Sequence, residues 1–111
     1  MPVYRLVAKW NDDPNHVGGI ITLDVPLDSS GKVREQVFFG AIGRLSDRTA
    51  FRSPFVVQLD GRLGYYHDQD NPDISDDRIN LIGRVLTVGE QFTQFEGDYE
   101  SIYTITSMTE L

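Results

Sequence analysis

The chain contains no cysteine. That excludes disulfides, thiolate metal sites and cysteine nucleophiles together, and it leads us to expect a reducing, cytoplasmic setting. No apolar run approaches the roughly 20 residues needed for a membrane-spanning helix, and no membrane association is expected. Met1 to Trp10 alternate in polarity and carry Arg5 and Lys9. They lack the continuous apolar stretch of a signal peptide. His16 and His67 are the only histidines. Two histidines without thiolates fall short of the three or four ligands a structural zinc site draws on. No linker, internal repeat or low-complexity tract interrupts the 111 residues. Residues 1–111 therefore read as one domain of ordinary size.

Lysine is also scarce, with only Lys9 and Lys32, and the net charge is −7. The distribution is lopsided. Residues 1–55 hold seven Lys/Arg against six Asp/Glu, net +1, and residues 56–111 hold three Arg against eleven Asp/Glu, net −8. An acidic half repels phosphate backbones and anionic lipid surfaces, so no nucleic-acid partner is expected. A basic protein partner suits it, and homo-oligomerisation stays open.

What is abundant is polarity alternating with a period of two, the signature of half-buried strands. Tyr4, Leu6, Ala8 and Trp10 share one face of a first run, and Ile21, Leu23 and Val25 share one face of a second, which Pro26 ends. A third strand is expected from Val33 to Ala41, followed by a loop or one short helical turn near 44–50. Phe55 to Leu59 and Arg62 to His67 flank Asp60-Gly61. That pair predicts a hairpin with a two-residue type I′ turn, in which both central residues take positive φ. Gly64 inside the second arm predicts a bulge or a close backbone approach. Residues 68–78 read as a polar loop, and Ile79 to Leu86 as a strand containing Gly83. Turns are expected at 88–90 and 96–98, around short strands at 91–95 and 101–108. Seven to eight short strands at this spacing predict an all-β fold, a small antiparallel barrel or sandwich.

Motifs narrow the function little. Gly40-Ala41-Ile42-Gly43-Arg44 lacks the Gly-Lys-Ser/Thr ending of a phosphate loop. Arg44, Arg48 and Arg52 would form a stripe only on a helix that Gly40 and Gly43 disfavour. Asp68, Asp70, Asp73, Asp76 and Asp77 lie within ten positions. They do not form an EF-hand loop. Counting Asp68 as position 1 puts Pro72 at position 5 and Asp73 where glycine is required. Clustered carboxylates tolerate one another only in water, so these five are expected to form an exposed acidic surface for a basic partner, without a metal or other cofactor. No catalytic constellation stands out. The alternative is a barrel that binds a small ligand or carbohydrate through Trp10, Tyr65, Tyr66, His67 and Tyr103, with His67 as a conceivable acid–base group in an enzyme.

Overall fold

The computed structural model describes residues 2–16, 19–42, 53–65 and 73–111, with Ser53 and Asp73 described through their backbone alone. Eight strands follow one another in chain order: β1 (Val3–Trp10), β2 (Ile20–Pro26), β3 (Phe38–Ile42), β4 (Ser53–Val57), β5 (Arg62–Tyr65), β6 (Asp73–Ile79), β7 (Gln91–Glu96) and β8 (Tyr99–Glu110). Each pairs antiparallel with the next, and β8 returns to β1, so the sheet closes into a barrel. Closure removes the two free edges that an open sheet of these strands would expose. No helix among the described residues is long and apolar enough to cross a membrane.

The alternation read in the sequence sets which side chains fill the barrel. Leu6, Ala8, Leu23 and Val25 are fully buried, and Ile21, Phe55, Phe92 and Ile105 nearly so. An eight-stranded barrel is just wide enough to be filled by side chains or to hold one small ligand. Here the described interior is filled. Gly40 lies opposite Leu23 on one side and Phe55 on the other. A Cβ at Gly40 would collide with Leu23 Cδ2 and lie 2.8 Å from Phe55 Cζ. One end of the barrel is closed by Leu27, Val33, Leu81 and Leu86, all buried in connections outside the strands. The opposite end is where β1, β3, β5 and β7 finish. The helical turn expected near 44–50 lies outside the described residues.

Four expectations need correction. The hairpin between β4 and β5 is not a two-residue type I′ turn. Gln58 N donates to Arg62 O at 2.8 Å, and Gly61 N donates to Gln58 O at 2.9 Å. The loop is therefore Leu59-Asp60-Gly61, with positive φ only at Gly61 (87°) and at no non-glycine residue. This is a type I turn closed by a glycine bulge. The register shifts by one, so Phe55 faces Tyr65, Val56 faces Gly64 and Val57 faces Leu63. Hydrophobic patterning decides this register, because it turns Phe55, Val57, Leu63 and Tyr65 to one face. Asp60 supports the turn by accepting from Arg62 N at 3.0 Å and Arg62 Nε at 2.7 Å.

The polar stretch read as a loop over 68–78 contains strand β6 from Asp73 onward. Its low β-propensity is overridden by pairing with β5, from Tyr65↔Asp73 to Arg62↔Arg78 across a bulge of Ser75 to Asp77 opposite Leu63. Ser75 Oγ donates to Leu63 O at 2.8 Å, replacing a ladder bond that the bulge removes. The strand expected over 79–86 is instead a connection. Ile79 ends β6, and the chain turns at Gly83 and buries Leu81 and Leu86. The strand expected from Val33 is shortened to β3. Val33 makes only an isolated bridge to Leu27, and its side chain joins the end plug.

Candidate interaction site

The two residue sets singled out in the sequence meet on β6. Strand alternation sends Ile74, Asp76 and Arg78 outward and Ser75, Asp77 and Ile79 inward. Asp76 is exposed, whereas Asp77 is half-buried and accepts from Tyr65 Oη at 2.9 Å. The adjacent aspartates thus diverge to opposite faces and do not make one continuous patch. Asp73 lies opposite Tyr65 in register. Asp68, Asp70, Tyr66 and His67 lie outside the described residues, as do Arg44, Arg48 and Arg52.

The aromatic set gathers at the end of the barrel opposite the plug, as packing. Trp10 is opposite Tyr103 in register, and Tyr103 stacks on Phe92 with centroids 5.5 Å apart. Tyr65 meets Phe55 edge-on at 6.3 Å, and Trp10 meets His16 edge-on at 6.2 Å. Tyr103 Oη donates to Gln94 Oε1 at 3.2 Å, and Gln94 Nε2 donates to Glu96 Oε1 at 2.9 Å. Burial, helped by the Glu96 charge, pushes the Tyr103 hydroxyl up to about 12. Burial and the hydrogen bond to Asp77 push Tyr65 further in the same direction. Both phenols stay protonated near neutral pH and so cannot serve there as general bases. Their hydrogen bonds satisfy buried polar atoms, which is a structural role.

The sheet is weakest between β6 and β7. Their ladder contains only Arg78↔Phe95 and Ile79↔Gln94, although β6 runs back to Asp73 on its β5 side. One more step would set Asp77 opposite Glu96. Like charges directly opposite destabilise an antiparallel pair. One step further would require Gly97, whose φ of 59° begins the turn into β8. An open cleft of about 410 Å³ lies at this seam, lined by Asp76, Arg78, Phe95 and Gly97.

Glu96 and Asp98, on the far side of the seam, belong to the acidic group but were read in the sequence only as turn residues. Their proximity to β6 follows from the pairing of β6 with β7, which no short-range pattern announces. Asp76, Glu96 and Asp98 are exposed and form no ion pair among the described residues. The ion pairs Arg5–Asp24, Arg62–Asp60 and Arg84–Glu90 all lie away from the seam. No group of three or more metal-ligating side chains is assembled among the described residues. Comparison with protein-family models, curated proteins and solved structures finds no match to this chain.

Proposed function

We propose that the protein is a non-enzymatic interaction module that presents the acidic seam between β6 and β7 to a basic protein partner, in a cytoplasmic setting. The observation that carries this reading is that Asp76 on β6 and Glu96 and Asp98 at the end of β7 are all exposed along the short β6–β7 ladder, with no ion pair to any of them among the described residues. Among the described residues, three carboxylates stand against the single cation Arg78, so the seam carries a net negative charge, which steers an oppositely charged partner and makes association salt-dependent. The filled interior and the protonated tyrosines support a surface role over chemistry inside the barrel. Cross-linking in the native host tests it, using the wild type beside a variant carrying Asp76→Asn, Glu96→Gln and Asp98→Asn. A basic protein recovered by the wild type, lost in the variant and weakened by salt supports the reading. Equal recovery by both proteins overturns it.

A second reading rests on the convergence of Trp10, Tyr65 and Tyr103 at one barrel end. It assigns the protein to small-ligand or carbohydrate binding. A saturable change in Trp10 emission on titration with a sugar panel supports it, and flat titrations count against it.

A further inference from the structure

We propose that the β7-facing edge of β6, from Asp73 to Asp77, accepts an extended basic segment of the partner protein as an added strand. This rests on the acidic-surface reading and specifies how the partner is held.

The edge is defined by what pairs on each side. On the β5 side the ladder reaches Asp73, with a register shift that leaves Ser75 to Asp77 bulged opposite Leu63 and Asp77 N donating to Ser75 Oγ at 3.2 Å, but on the β7 side it stops at Arg78↔Phe95. Asn80 N donates to Thr93 O at 3.2 Å, so the β6–β7 ladder is formed at the plugged end and lost toward Asp76. Beyond Arg78, no strand among the described residues lies on this side of β6. An incomplete sheet edge offers main-chain groups to an incoming strand, and main-chain hydrogen bonds supply the affinity of such additions. The cleft at Asp76 and Gly97 gives the segment an entry.

The charges select the occupant. An added strand sends alternate side chains outward and inward. Outward it meets exposed Asp76, and inward it meets Asp77, with Glu96 and Asp98 across the gap. Lysine or arginine suits either face. A second copy of this chain is disfavoured, because two such edges would bring aspartate to aspartate. Charge on an edge strand is a common barrier to self-pairing. The same charge that blocks a copy attracts a basic segment.

The test uses two capped hexapeptides of alternating lysine and valine. One is unmodified. The other is N-methylated at alternate residues, which keeps its charge but removes donors needed for strand pairing. Binding is read by heteronuclear NMR titration and by amide exchange on the intact protein. The expected result is saturable binding of the unmodified peptide, slowed exchange at the Asp76 amide, and an affinity for the methylated peptide lower by about ten-fold or more. The Asp76→Asn, Glu96→Gln variant should bind the unmodified peptide several-fold more weakly. Equal affinity for both peptides overturns strand addition and leaves the acidic-surface reading in place. If neither peptide binds at millimolar concentration, both are overturned.

Discussion

Replacing Gly40 with alanine tests whether the barrel is filled, on which the assignment of function to the surface depends. The added methyl would point inward, colliding with Leu23 Cδ2 and lying 2.8 Å from Phe55 Cζ and 2.9 Å from Phe55 Cε2. Leu23 is fully buried and Phe55 is 1% exposed, so both would have to shift within the core to make room. Overpacking of this kind costs about 1–3 kcal/mol. The lower chain entropy of unfolded alanine returns roughly 0.4–1 kcal/mol. The net loss is at most about 2.6 kcal/mol and centres on about 1.3 kcal/mol, which corresponds to a Tm lower by roughly 5–10 °C for a domain of this size. Scanning calorimetry on Gly40→Ala, Leu23→Ala and the double variant measures it. Because the two side chains contend for one space, the double variant should lose less stability than the sum of the singles. An unchanged or raised Tm for Gly40→Ala would refute the reasoning. It would mean that the barrel holds spare volume, and would favour the small-ligand reading.

Gly61→Val should be more damaging, since its φ is 87° and a Cβ there would lie 2.7 Å from the main-chain oxygen of Ile79. A β-branched residue at positive φ is strained, and the backbone obstacle cannot swing aside. A urea midpoint equal to wild type would argue against the bulged turn. Alkaline pH should weaken the fold. The Tyr103 phenol is pushed up to about 12, from about 10 in an unfolded chain. The folded state therefore holds its proton more tightly, so this contribution is fully present below about pH 10 and is lost as pH rises through about 12. Urea midpoints at pH 8, 10 and 11 should fall progressively, and Tyr103→Phe should reduce that fall. At neutral pH, Tyr103→Phe should cost about 1 kcal/mol, because Gln94 Oε1 loses a buried donor.

The all-β class and most strand faces were legible because burial follows alternation. Leu6 and Ala8 on β1, and Ile21, Leu23 and Val25 on β2, are buried as their spacing implies. What was hidden depended on partners distant in sequence. Asp73 to Asp77 looks like solvated loop because aspartate disfavours strands, yet β5 supplies a template and Ser75 Oγ repairs the bulge. The turn at Gly61 was placed in the right sequence but one residue out of register. Asp-Gly signals a turn without settling whether aspartate takes positive φ. Asp77 read as part of an exposed cluster, but alternation turns it inward to Tyr65. Glu96 and Asp98 were invisible as site residues, because only the β6–β7 pairing brings the end of β7 beside β6.

The most direct measurement is a heteronuclear NMR titration of the intact protein with a full-length basic partner recovered by the cross-linking experiment. The expected result is a contiguous set of shifted amides at Asp76, Arg78, Phe95, Glu96, Gly97 and Asp98, with binding weakened steeply as added salt shortens the Debye length from about 10 Å at 0.1 M to about 3 Å at 1 M. Amides of β1 at Leu6 and Ala8 should stay in place. Shifts centred instead on Trp10 and His16, or binding indifferent to salt, would contradict the assignment of the acidic seam as the interaction surface.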